Sequence, residues 1–288
     1  MNGRIHKIAL LLVAVSASIS VGDIITHGAT SVDIGFVSIG NAGNAADTSG
    51  YGAVSYGYQI GQYEVTASQW TTVASAAGIS QTGSGSGSQP IGTVSWTDAA
   101  KFCNWLTSGD KNSGVYQFDI SGTFTGLDRS AASSLYGTIY VLPTEDEWYK
   151  AAYYTGSGYS LYANGTGTPP VAGIDAAYDN STTEPWSVGS GTIEQNGTYD
   201  MMGNIDEMLE GAFDGALDVP NEQRVWRGGS FGSSDYKLAS SFRQDINSET
   251  YTADYIGFRV AVIPEPATLP LVGFVCAVGL WIRRRRAY

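Results

Sequence analysis

The chain has 288 residues, 43% hydrophobic and 12% aromatic, with a formal net charge of −12; that is ample for a buried core and excludes global disorder. Only 15% of residues are charged, against 37 Gly and 18 Tyr, a balance that suits loop-rich exported domains better than helical cytosolic ones. Residues 23–263 carry nine Lys and Arg against 26 Asp and Glu, so nucleic acid is excluded as a partner, since phosphate binding needs a basic face.

Residues 1–22 read as a secretory signal peptide. Arg4 and Lys7 form a positive start, Ile8 to Val15 an apolar centre, and Ala14, Ser16, Ala17 and Ser18 a small-residue cleavage region. The main domain is placed at 31–262. Val32, Ile34 and Phe36 alternate as in a half-buried strand. Tyr58 to Val65 is strand-like and runs into Thr66-x-x-Gln69, a capping box, with Trp70, Val73, Ala74 and Ala77 on one helical face. Gly83 to Ser88 is a surface loop. Ser95 caps a second helix whose buried face is Ala99, Phe102, Cys103 and Leu106. Cys103 is the domain's one cysteine, which excludes an internal disulfide; it reads as a small buried hydrophobe.

Val141 to Tyr154 predicts a strand end, a Pro brake and a helix opened by Thr144 and Glu147. Trp148, Ala151 and Ala152 form its apolar face, and Glu145, Asp146 and Glu147 complement the helix dipole as a solvated first turn. Tyr159 to Asn196 has little periodicity and reads as a long functional or ion-held loop. In Gly197 to Glu210, a Gly203-Asn204 turn flanked by Asp200 and Glu207 could aim carbonyls at a hard cation, which takes six to eight oxygens; a plain turn with solvated acids fits equally. Arg227, Arg243 and Arg259, rare cations in an acidic domain, are expected in buried ion pairs.

Several of these segments, in this order, resemble the formylglycine-generating enzyme (sulfatase-modifying factor) family: YEVTASQW at 63–70, PIGTVSWTDAAKFCNWL at 90–106, LPTEDEWYKAA at 142–152, GTYDMMGNIDEMLEG at 197–211, RVWRGGSF at 224–231, and the ending SFR…YIGFRVA. The resemblance implies an α+β formylglycine-generating-enzyme fold related to C-type lectins, loop-rich with little regular secondary structure. It also implies one calcium site, with the side chains of Asp200 and Glu207 and the carbonyls of Gly203 and Ile205 as ligands. A further calcium site of the family falls at Ala176-Ala177-Tyr178, where Ala177 replaces Asn and the site is lost or rebuilt. Asp206 stands where relatives carry Trp.

The family's copper-binding cysteines fall at Ser233 and Leu238, and neither can form the thiolate that Cu(I) needs. Copper is therefore not expected, and no catalytic residue is assigned. Only His6 and His27 exist, so no neutral-pH histidine base is available in the domain core. The expected function is a non-catalytic binding or structural module, with extracellular polysaccharide or a surface protein as ligand. An oxidase or other metal-dependent enzyme acting on an exported protein or glycan stays open as the alternative.

At the C-terminal end Pro264, Glu265 and Pro266 precede an apolar run, Ala267 to Ile282, and then Arg283, Arg284, Arg285 and Arg286. This 264–286 segment resembles the PEP-CTERM sorting signal. It implies export through the inner membrane of a Gram-negative bacterium, transient membrane anchoring, cleavage by an exosortase-type processing enzyme, and residence in the envelope, surface or matrix.

Overall fold

Val32, Ile34 and Phe36 pack into one hydrophobic cluster, and Val37 and Ile39 into another. The buried face of the strand that carries them thus switches at Phe36 and Val37, leaving Ser38 exposed. The structure, a computed structural model, describes residues 21–80, 83–215, 222–246 and 248–264. The expected leader, apart from Val21 and Gly22, and the sorting segment beyond Pro264 lie outside the described residues. Among the described residues no helix is long and apolar enough to cross a membrane.

In chain order the first half is β1 (Val21–His27), β2 (Thr30–Ile39), β3 (Tyr58–Gly61), α1 (Ala67–Ala77), α2 (Trp96–Ser108), β4 (Tyr116–Phe118) and β5 (Phe124–Leu127). Next come α3 (Arg129–Tyr136), β6 (Ile139–Val141), α4 (Glu145–Tyr153), β7 (Asp206–Ala212), β8 (Arg224–Arg227), β9 (Gln244–Ile246), β10 (Ile256–Gly257) and β11 (Ala261–Ile263). An antiparallel sheet runs β1-β2-β3-β11-β6, a smaller mixed sheet runs β10-β7-β8-β9 with β10 parallel to β7, and β4-β5 is a separate hairpin. The fold is α+β. Val21–His27, ahead of the expected domain start at 31, pairs in full register with β2.

The large sheet separates two cores. One is filled by α1 and α2, where Trp70 stacks on Phe102 with ring centroids 5.7 Å apart. The other is filled by α4, through Trp148, Tyr149, Ala151, Ala152 and Tyr153. The helix starts follow from local chemistry. Thr66, Ser95 and Thr144 each accept from the third helical N–H, and at Thr66 and Thr144 the Gln69 and Glu147 side chains return the bond. Thr144→Ala is expected to lower the calorimetric unfolding midpoint, at a cost of about 1 kcal/mol; a midpoint equal to wild type would mean that the box contributes nothing.

The long loop from 159 to 196 contains no named helix or strand and is ordered by its own side chains. Asp175 accepts from Val171 N–H at 2.9 Å and Thr192 Oγ1 at 2.8 Å. Gln195 Nε2 donates to Ala152 O and Asn196 Nδ2 to Ala151 O and Tyr154 O, all at 2.9 Å. The loop therefore satisfies the carbonyls that the end of α4 leaves open.

Candidate functional site

The turn that opens β7 is built from left-handed residues: Asp200 (φ 61°), Gly203 (φ 84°) and Asn204 (φ 63°). At Gly203 a Cβ would stand 2.3 Å from the Ala177 carbonyl oxygen, so only glycine fits without moving backbone. Asn204 N–H donates to Ala177 O at 2.8 Å, Gly203 N–H to Gly228 O at 2.9 Å, and Phe231 N–H to Asn204 O at 2.9 Å. The long loop and the Gly228-Gly229 turn thus converge on the segment expected to bind calcium.

Glu207, in β7, is fully buried. Arg259 donates to it through Nη2 at 2.5 Å and Nε at 2.6 Å, and Trp148 through Nε1 at 2.8 Å. Arg259 gives further N–H bonds to the carbonyls of Gly61 and Tyr199, both at 2.9 Å. Burial alone would lower the Arg259 pKa, but Glu207 overrides it and holds the guanidinium charged.

Three more carboxyls share the field of this pair. Asp200 Oδ2 accepts from Gly189 N–H at 2.7 Å. Glu194 accepts from Thr198 Oγ1 at 3.0 Å and Met201 N–H at 3.2 Å. Glu64 is 1% exposed and receives no N–H donor from another residue; its carboxyl and that of Asp200 share a hydrogen bond. Burial pushes Asp200 up to about 6 and Glu194 to about 8. Burial also raises Glu64 well above the carboxylate range, and the Asp200 charge adds to it. The interior here holds more acid than one guanidinium can balance.

That excess is the test of whether calcium fits. Glu207 is already neutralised by Arg259. The oxygens with capacity to spare belong to Glu64 and to Asp200. Among the described residues no three His, Cys, Asp or Glu side chains are grouped as a metal site, so an ion here needs backbone carbonyls, such as those of Gly203 and Ile205, beside two carboxylates. That donor set is of the all-oxygen kind that a hard cation takes. Sequence reasoning missed Glu64, which lies beyond the end of β3, after a bend at Gln62 and Tyr63, where strand alternation no longer marks the buried side.

A second cluster lies where the resemblance puts the copper thiolates. Ser233 Oγ accepts from Ser230 N–H at 2.9 Å and stands 3.2 Å from Ser230 Oγ. Asp206 is hydrogen-bonded by Ser230 and by Gly229 N–H; burial pushes it up to about 7, against the pull of Lys237. Leu238 is fully buried in the α4 core. These side chains close the Gly228-Gly229 turn and supply no thiolate. Cys103, the free cysteine among the described residues, is buried in the α2 core, and burial pushes its thiol up.

The first-turn acids of α4 depart from the sequence reading, which placed them in water. Glu145 accepts from Arg227 Nη2 at 2.6 Å and Arg243 Nε at 2.9 Å. Glu147 is fully buried and accepts from Arg129 Nη1 at 2.7 Å and Tyr56 OH at 2.6 Å. Arg129 also reaches Glu210 at 3.0 Å. Burial works to raise the Glu147 pKa, but Arg129 outweighs it and holds the carboxyl below its usual range. The ion pairs expected for Arg227, Arg243 and Arg259 are all present.

A model of the sulfatase-modifying factor enzyme 1-like domain matches residues 26–263. Among curated proteins the chain is similar to one named chaperone protein LppX, from Paenibacillus barcinonensis, at 27% identity over 200 residues, covering 62% of this chain and 70% of that one. Among solved structures it is similar to Treponema denticola variable protein 1 (TM-score 0.62, 22% identity, 87% of this chain and 100% of that one). It is also similar to CarF (TM-score 0.60, 23% identity, 81% and 99%). PvdO from Pseudomonas aeruginosa gives a TM-score of 0.56 at 17% identity, over 87% and 100%. At these identities the likeness to the solved structures is one of fold.

Proposed function

The chain belongs to the sulfatase-modifying factor enzyme 1-like family, and from that premise we propose that it is an exported, non-catalytic binding module of the cell surface or matrix. The observation that carries this reading is the pair Ser233 and Leu238. One is tied into a serine–aspartate turn and the other is sealed in the core, so the thiolate pair on which a copper oxidase depends has no counterpart. What the fold keeps is a rigid frame that presents long loops, the usual arrangement of a binding scaffold. The ligand in this proposal is an extracellular polysaccharide.

Calcium belongs to the proposal as a structural ion. Asp200 and Glu64, with the Gly203 and Ile205 carbonyls, would hold it, and it would neutralise buried acid and stiffen the turn beneath the long loop. Export by the 1–22 leader, anchoring by the 264–286 tail and removal of that tail by an exosortase complete the proposed route.

Two assays on the purified full chain test it. Incubation with copper, oxygen and a cysteine-containing peptide is expected to yield no formylglycine by mass spectrometry. Matrix polysaccharide is expected to be retained in calcium and released by chelator. Aldehyde formation would overturn the non-catalytic reading, and failure to retain matrix under either condition would overturn the binding one.

A further inference from the structure

A cavity of about 460 Å³ opens between the 51–56 loop, the start of α4 and the end of β7, on residues that neither the calcium turn nor the Ser230–Ser233 cluster uses. Its size is that of a small-molecule site, about 300–1,000 Å³. We propose that it is the saccharide subsite of this protein and takes a neutral, hydroxyl-rich sugar unit through Tyr51, Phe213, Asp146 and Arg243. This rests on the binding-module reading and names where, and what, that module binds.

The lining is fixed before any ligand arrives. Glu145 holds Arg243, whose Nη1 also donates to Phe213 O at 2.7 Å. The Arg243 guanidinium lies 4.1 Å from the centre of the Phe213 ring and 5.7 Å from that of Tyr51. Arg227 stands 5.0 Å from the Tyr51 ring. Asp146 Oδ1 accepts from Gly52 N–H at 2.8 Å, which sets the plane of its carboxyl. Tyr56, 39% exposed, is held by its bond to Glu147. Groups locked in this way lose little entropy on binding.

Charge then selects the ligand. Glu145, Asp146 and Asp214 all line the cavity, so an anionic sugar would meet three carboxyls. The N-terminus of α4, ordinarily attractive to anions, is already covered by its own acids. A cationic ligand fares no better, because guanidiniums already occupy places over Tyr51 and Phe213. A neutral sugar avoids both conflicts. Its C–H groups pack on the apolar part of the lining, Ala53, Val54 and Ala212 beside the Phe213 ring, while neighbouring hydroxyls donate to the Asp146 carboxylate and accept from Arg243.

The test is calorimetric titration of the full chain with maltohexaose, cellohexaose and chitohexaose, with hexagalacturonate and spermine as charged controls. At least one neutral oligosaccharide is expected to bind. Phe213→Ala is expected to weaken it by about three- to tenfold, and Asp146→Asn by about tenfold or more. Asn keeps an oxygen for Gly52, so Asp146→Asn remains interpretable if Phe213→Ala fails to fold. Binding of the charged probes alone, of none of the probes, or of a neutral one with unchanged affinity in Asp146→Asn overturns the subsite. Matrix retained equally by wild type and variants would remove this cavity but leave the binding-module reading intact; matrix retained by none of them would remove both.

Discussion

Arg259→Ala is expected to cost about 3–5 kcal/mol of folding stability, the largest single-residue loss we anticipate. The side chain is fully buried against a fully buried Glu207. Its removal leaves that carboxylate inside the protein with Trp148 Nε1 as its remaining side-chain donor, next to the already uncompensated Glu64, Asp200 and Glu194. The carbonyls of Gly61 and Tyr199 lose their donors in the same step. Domains are stable by only about 5–15 kcal/mol, so the variant should lie close to its unfolding threshold. Arg259→Lys restores the charge but not the two-pronged geometry, and should fall between the two. The double variant Arg259→Met/Glu207→Gln should lose much less than Arg259→Ala, because most of the damage is the stranded charge rather than the lost attraction. Urea unfolding followed by tryptophan fluorescence measures all three; a cost below about 1 kcal/mol for Arg259→Ala would mean that Glu207 is not held by this pair.

How much of this could be read from the sequence depends on how far apart the partners lie. The capping boxes at Thr66 and Thr144 close within three residues, and both were legible. So was the inward parity of Val32, Ile34 and Phe36, because a strand's alternation is written in neighbouring positions. The arginine pairs were legible in kind, since an acidic interior must neutralise its few cations, but not in partner: Arg243 meets Glu145 98 residues away in sequence, and Arg259 meets the Gly61 carbonyl at a separation of 198. Glu147 shows the limit. Helix physics places a first-turn acid in water, and only the tertiary approach of Arg129 and Tyr56 turns it into a buried ion. The Asp146 carboxyl, tied to Gly52, was hidden for the same reason.

Glu64 shows what a buried acid paired only with another acid should do when challenged. In chelator, Glu64→Gln is expected to raise stability by about 1–3 kcal/mol, because it replaces a desolvated carboxyl, whose partner is another buried acid, with a neutral group of the same shape. The new amide N–H can also donate to Asp200, the charge that acts most strongly on Glu64. In calcium at about one thousand times its Kd, the wild type should gain about 4.1 kcal/mol. The variant has lost a charged ligand and should gain much less, so the order of stabilities reverses between the two buffers. Calorimetric midpoints of the full chain, with calcium and with chelator, decide between a cation and a proton. A wild-type midpoint indifferent to calcium, with Glu64→Gln shifting it equally in both buffers, would sink the ion and leave Glu64 as an acid kept neutral by its own burial. Reversal of the order would place the cation between Glu64 and Asp200, on the loop side of the Glu207–Arg259 pair rather than on Glu207 itself.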